Sequence, residues 1–330
     1  MIFLYILSGI ILFILFLLSL LYLKLIRGNI AVKEELAQYI PKKISPFGEV
    51  KSLSIIPLVE YFSARDDLLT EPGVSYLVKT DNQNILVDVG YNVRKTHPSP
   101  LIHNMNALGF ELNDIDSIFI SHAHGDHLGG ISHHKNHTFG LSNGPVELNG
   151  QKIYATEELK PSENNPNAEM VLIKEAMIID EGISSLGPYP RNLYAMGIIR
   201  EQSLVINLKN KGLVIIIGCG HQTIEKIIER VKETYSEPIY AIIGGLHFPV
   251  KGGRGKIGPF NIQQIVSTEK VPWKGINEDD IDNGIKALKQ ANPEIIYLSG
   301  HDSSDFAIEK FKNNFVSKLQ IITVGEEYVL

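Results

Sequence analysis

Residues 121–130 read Ser121-His122-Ala123-His124-Gly125-Asp126-His127-Leu128-Gly129-Gly130, directly after the apolar run Ile118-Phe119-Ile120. Three imidazoles and a carboxylate within residues 122–127 are a donor set suited to zinc, iron or manganese. Their alternation sends His122 and His124 one way and offers Asp126 and His127 to a neighbouring position, which is the sequence form of a site for one or two metals. A solvated histidine-rich turn is the alternative, and it is the reading given to His133, His134 and His137 downstream. It does not account for the strand before the motif and the Leu128-Gly129-Gly130 exit after it, the context that a rigid ligand loop needs.

The chain around this loop has 330 residues, 44% hydrophobic and 21% charged, which is ordinary globular composition for one or two domains. A net charge of −6 lacks the basic footprint of a general nucleic-acid binder, so no nucleic-acid partner is expected. Cys219 is the lone cysteine, which excludes an internal disulfide framework and fits a reducing compartment.

Residues 2–23 are almost wholly Leu, Ile and Phe, long enough to cross a bilayer. A cleaved signal peptide is the rival reading, but the run has no charged region before it and no small-x-small site after it. Lys24, Arg27, Lys33, Lys42 and Lys43 all follow the span, so the expected topology is single-pass with the main domain in the cytoplasm. The expected organisation is an anchor over 1–27, a linker over 28–51 and a catalytic domain over 52–330.

Short apolar strands are predicted over 55–62, 74–78, 85–89 and 118–120, with a helix opening at Ser99-Pro100 and carrying Leu101, Met105 and Leu108. Residues 132–200 read only as hairpins and loops. Regularity returns with strands over 204–208, 213–217, 239–243 and 295–298. Helices alternate with them, carrying Ile224, Ile227, Ile228 and Val231, then Ile281, Ile285 and Leu288, then Ile308, Phe311, Phe315 and Leu319. Three successive strands end in glycine followed by histidine: Gly218-Cys219-Gly220-His221, Gly244-Gly245-Leu246-His247 and Ser299-Gly300-His301. One histidine at a strand end is usually structural, but three beside a dense histidine loop point to convergence on one site.

The 121–130 stretch resembles the defining motif of the metallo-β-lactamase superfamily, and Asp88-Val89-Gly90 resembles the Asp-x-Gly loop that precedes it there. The three later strand ends look most like those of the dihydropterin-ribofuranosylaminobenzene phosphate synthase-like branch. The resemblance covers about residues 52–330. It implies an α/β fold, an αββα sandwich of two mixed sheets with helices on the outer faces, preceded here by the transmembrane helix. The sequence departs from the superfamily in showing no plain bridging aspartate near 219–221, and from the branch in Asp302-Ser303-Ser304 after His301.

On that resemblance His122, His124 and His221 are expected to hold one divalent metal, and Asp126, His127 and His301 to hold or shape a second, zinc being favoured over manganese or iron. A metal-bound hydroxide would be the nucleophile, with Asp126 and His247 as catalytic groups. Asp88 is expected to orient a ligand, while Arg191, Arg254 and Lys256 are candidates for an anionic substrate. The peptide N–H groups around His221, at a helix N-terminus, are a further candidate phosphate receptor. Cys219 is read as a small buried residue in preference to a thiolate ligand, and Trp273 as packing in preference to a stacking platform. The expected activity is hydrolysis of a phosphorylated or otherwise anionic small molecule. A dihydropterin-type transferase using the same metals and a non-catalytic metal-binding regulator are the alternatives.

Overall fold

Strand Gly212–Ile217 is buried at every position, so it needs cover on both faces. Leu213, Ile215 and Ile217 pack with helical residues such as Ile227, Val231, Ile281, Leu288 and Phe311. Val214 and Ile216 face the opposite way, among Ile55, Tyr76, Ile85 and Phe119 of another sheet. Side chains alternate faces along a strand, so an unbroken apolar run generates a stack of layers. Strand Leu53–Val59 repeats the pattern, with Ile55 in the central layer and Ile56 and Leu58 in a third layer with Leu101 and Met105. Each fully buried Ile, Leu or Val contributes about 1.5–3 kcal/mol of transfer free energy.

The computed structural model describes residues 1–257 and 260–330. Two seven-stranded mixed sheets form the centre. The first runs Tyr328–Val329, Leu53–Val59, Ser75–Thr80, Asn84–Val87, Ser117–Phe119, Lys152–Ala155, Glu169–Leu172. The second runs Leu319–Ile321, Ile295–Leu298, Ile239–Gly244, Gly212–Ile217, Leu204–Leu208, Ile183–Ser185, Met177–Asp180. Helix Pro100–Ala107, capped by Ser99, lies on the first sheet; Ile224–Thr234, Glu278–Ala291 and Asp305–Asn314 cover the second. This is the expected αββα sandwich.

Two differences from the sequence reading have physical causes. The last helix stops at Asn314, and Leu319 belongs to strand Leu319–Ile321, because Phe315 and Leu319 keep contact with the same apolar cluster without helical backbone between them. Within 132–200, two short strands extend the first sheet in parallel and two extend the second, while Tyr189–Leu193 and Gly197–Glu201 form a separate hairpin. Their polar interruptions hide them from a periodicity search.

The N-terminal helix is one piece, Ile2–Ala37, continuing past Arg27 into the stretch read as a linker. Its first two-thirds is exposed, long and apolar enough to cross a membrane, and its last third lies on the hairpin.

Parallel pairing brings several strands to a common edge. Asn84–Val87 beside Ser117–Phe119 delivers Asp88 and the histidine loop, and Gly212–Ile217, Ile239–Gly244 and Ile295–Leu298 deliver the three glycine-histidine ends. The loop then leaves through Gly129, whose φ is +85° and whose N–H donates to the Gly90 carbonyl at 2.8 Å. A Cβ there would collide with the Gly140 carbonyl. Gly129→Ala is therefore expected to lose more than about 1 kcal/mol of stability, combining left-handed strain with the clash, as measured by chemical denaturation of the full chain.

Candidate metal centre

Asp88 is fully buried in left-handed backbone, φ +59°, and its carboxylate does three jobs. Oδ1 accepts the Ser121 N–H at 2.7 Å, and Oδ2 accepts the Ser121 hydroxyl and His127 Nδ1, each at 2.7 Å. Ser121 has then spent its only proton, so toward His122 Nδ1, 2.9 Å away, its oxygen is an acceptor. Both rings are thereby held with Nδ1 protonated and Nε2 turned inward. The same relay recurs across the site. The Ser299 hydroxyl donates to the Glu60 carboxylate and lies 2.6 Å from His301 Nδ1, leaving His301 Nε2 inward.

The inward atoms meet at one side chain. Cys219 Sγ lies 3.0 Å from His127 Nε2 and 3.2 Å from His301 Nε2. Three sets of ligand atoms each fall within 4.8 Å: Asp126, His127, Cys219 and His301; His122, Cys219 and His221; Cys219, His247 and Asp302. His124 joins the second set through its Nδ1, 3.2 Å from His221 Nε2. Among the described residues, His122 Nε2, His221 Nδ1 and both nitrogens of His247 are buried without a partner. Bare buried acceptors cost about 1–3 kcal/mol each, and imidazole, thiolate and carboxylate donors aimed at a common point fit divalent metal.

Charge supports that fit. Burial, then the neighbouring rings, holds His122 and His221 well below the usual imidazole range, and burial takes His124 down to about 3, so these rings are neutral and able to ligate. Burial also lowers His127, but Asp88 and Asp126 outweigh it and bring it up to about 9, so this ring ligates only by giving up its Nε2 proton to the incoming metal. Burial, then the surrounding carboxylates, pushes the Cys219 thiol well up, so a thiolate here needs a cation beside it.

The metallo-beta-lactamase superfamily model matches residues 69–139, the span that carries Asp88 and the histidine loop. Over that span the chain matches the metallo-β-lactamase superfamily model, and its fold is the αββα sandwich found in solved structures of that superfamily. It is 24% identical over 314 residues to 7,8-dihydropterin-6-methyl-4-(beta-D-ribofuranosyl)-aminobenzene-5'-phosphate synthase of Methanocaldococcus jannaschii, covering 81% of this chain and 95% of the relative. Among solved structures it shares the fold of Tm1679, a metal-dependent hydrolase of the beta-lactamase superfamily, with TM-score 0.57 and 23% identity over 84% of this chain and 98% of that one. It also shares the fold of YhfI from Bacillus subtilis, with TM-score 0.52 and 13% identity over 85% and 100% of the two chains.

Around the histidine cluster several sequence-predicted residues take other places. The N–H groups of Cys219, Gly220 and His221 do not await a phosphate, because the buried Glu201 carboxylate accepts them at 3.1, 2.7 and 2.6 Å. Arg191 does not face the cleft. Its Nε donates to Glu269 at 2.6 Å and its Nη1 to the His221 carbonyl, so it props the turn that carries His221. Arg254 does line the cleft, donating to the Gly300 carbonyl at 2.9 Å, pairing with Asp305 at 2.8 Å and lying 4.1 Å over the Tyr61 ring. The Lys256 side chain lies outside the described residues. Trp273 is 77% exposed and is absent from the described cleft lining. His134, read as solvated, donates from Nδ1 to the Ala123 carbonyl at 2.6 Å and lines the cleft.

The cleft above the cluster measures about 530 Å³, with His124, Asp126, Cys219, His221, His247 and His301 in its lining. His247 sits in left-handed backbone, φ +56°, with its N–H on Asp302 at 3.0 Å and its ring 4.2 Å from that of His221. Sequence reasoning missed Glu201, Glu60 and the sharing of Cys219. Glu201 carries no local motif, and its role appears only when the hairpin folds against the 218–221 turn. Burial raises its carboxyl to about 7. Glu201→Gln turns an amide NH₂ toward a peptide N–H, and we expect a loss of about 1–3 kcal/mol in chemical denaturation together with reduced metal per chain.

Proposed function

We propose that the protein is a metal-dependent hydrolase of a phosphorylated or otherwise anionic small molecule, anchored by its N-terminal helix with the domain on the cytoplasmic side. The observation that carries the reading is the meeting of ligand atoms from separate strand ends within 4.8 Å around Cys219, at the base of an open cleft. His122, His124 and His221 would hold one divalent cation and Asp126, His127 and His301 a second, with Cys219 in reach of both sets. Zinc suits this nitrogen, oxygen and sulfur set, with manganese or iron as alternatives. The metal, when bound, supplies Lewis acidity and a water acidified toward neutral pH.

The chain's own residues do the rest. Asp126 is partly exposed at the cleft, and His127 and His124 hold its carboxyl below the usual range against the pull of burial, so it is ionised and able to accept a proton. The His247 ring lines the cleft, its nitrogens unpartnered among the described residues, in position to return a proton to a leaving group. Arg254 brings positive charge to the rim, and Tyr91, Ile131 and Met196 give it an apolar wall.

Transfer instead of hydrolysis is the second reading. It is favoured by the near-complete length match to a relative named as a synthase and by a cleft with room for more than one reactant. Full-length protein in detergent with zinc or manganese should release product steadily from generic phosphodiesters. If turnover starts only when a pterin diphosphate and an aryl acceptor are both supplied, the transferase reading replaces hydrolysis. Asp88→Asn, which removes the acceptor that fixes His127, is expected to weaken metal binding about 10–100-fold in a competition titration. His122→Ala should abolish both bound metal and turnover, and biological function that outlived both losses would leave only a non-catalytic role.

A further inference from the structure

The hairpin Tyr189–Leu193 and Gly197–Glu201 touches both the N-terminal helix and the mouth of the metal cleft. Toward the helix, the Lys24 ammonium donates to the Ala195 carbonyl at 2.9 Å, in the hairpin turn. The Asn192 amide donates to the Leu25 carbonyl at 2.9 Å and to Asn29 Oδ1 at 2.7 Å, and Arg200 grips Glu35 through bonds of 3.0 and 2.7 Å. Gly28 lies where any Cβ would overlap the Asn192 side chain, so the helix offers that amide the room it needs to reach the helix backbone. Toward the cleft, Met196 is the next residue in the same turn. It lines the cavity that holds His124, His221 and His247 and is itself 48% exposed.

Helix geometry sets the depth of that turn. Residues 2–23 carry no charge and extend about 33 Å at 1.5 Å per residue, against a hydrocarbon core about 30 Å thick. Lys24, the first charged side chain after them, therefore marks the headgroup level, where a lysine stem stays apolar and its ammonium finds polar partners. Leu20 and Leu23 border the same hollow as Gly197 and Ile198, placing the hairpin turn at the bilayer boundary. Ile131, which is 52% exposed, lines the same cleft as Met196, together with Arg254 and the histidines.

Resting on the hydrolase reading, we propose that the cleft opens at the bilayer surface and takes its substrate from the lipid phase, as an amphiphile with a phosphodiester headgroup. The headgroup enters to the histidine cluster while the hydrocarbon chain stays in the membrane along Met196 and Ile131. Hydrolysis then breaks one P–O bond, adds the oxygen of water to phosphorus and returns a proton to the departing alkoxide.

Two readouts on full-length protein in zinc-supplemented phosphatidylcholine vesicles test this. Met196→Cys labelled with a fluorophore, the native Cys219 being buried, should lose about twofold or more of its emission when the vesicles carry a lipid-borne nitroxide near the headgroup. Unmodified protein should cleave a long-chain phosphodiester lipid in those vesicles about tenfold or more faster than a soluble short-chain ester with the same headgroup. An unquenched label overturns the placement whatever the activities, and equal rates on the two esters overturn the lipid source. Quenching without turnover of either ester supports the placement and overturns the hydrolase reading on which the substrate class rests.

Discussion

Six imidazoles crowded into a water-poor space are the constraint that the rest of the structure serves. Ring centroids of His122 and His127 lie 4.1 Å apart, those of His221 and His247 4.2 Å, and those of His127 and His301 5.5 Å. Such a cluster cannot be held together as apolar packing, because each ring carries a nitrogen that needs a partner, nor as a set of cations, because like charges in low dielectric repel strongly. Neutral rings with lone pairs turned toward a shared dication would remove both problems. Such binding would stabilise the folded chain by mass action, about 2.7 kcal/mol at a free metal concentration 100 times the dissociation constant.

Holding lone pairs inward requires fixed acceptors outside. Asp88 with Ser121 and Glu60 with Ser299 form two carboxylate–serine–histidine relays, their acids following strands Asn84–Val87 and Leu53–Val59 of the first sheet, and each settles a tautomer through a hydroxyl with a single proton to give. Glu201 and Asp302 act on backbone instead, tying the turns of His221 and His247. These buried carboxylates also lie close enough to the cluster to balance a dication's charge, which explains why a protein would bury so many acids at one edge of its sheets.

The first candidate ligand loop was legible in sequence because its chemistry is local: His122, His124, Asp126 and His127 lie within one turn after a strand. The fold class was legible for a different reason, since resemblance in the motifs implied it and the alternation of buried residues agrees with it. The convergence of His221, His247 and His301 depended on three strands ending alike, a weaker but still periodic signal. Glu60, Glu201 and the shared position of Cys219 were not legible, because each acts on partners that only folding brings beside it, with no local motif to mark the pairing. Arg191 shows the opposite failure. A lone arginine near a turn reads as an anion receptor, and only packing reveals that Glu269 and the His221 carbonyl already consume its donors.

That arginine also explains why the N-terminal helix belongs to the architecture of the site. Arg191 lies on the hairpin strand that the helix braces through Asn29 and Asn192, and Asn29 further donates to the carbonyl of Glu269, the residue whose carboxylate holds Arg191. A chain of direct contacts thus runs from helix to hairpin to guanidinium to the turn of His221. The partners are short-range, part-buried and hydrogen-bonded, so displacement of the helix would release polar groups at several links at once, each at a cost of about 1–3 kcal/mol where it stays buried. The helix is accordingly better understood as one wall of the folded domain that continues into an apolar rod than as a tether joined through a flexible segment.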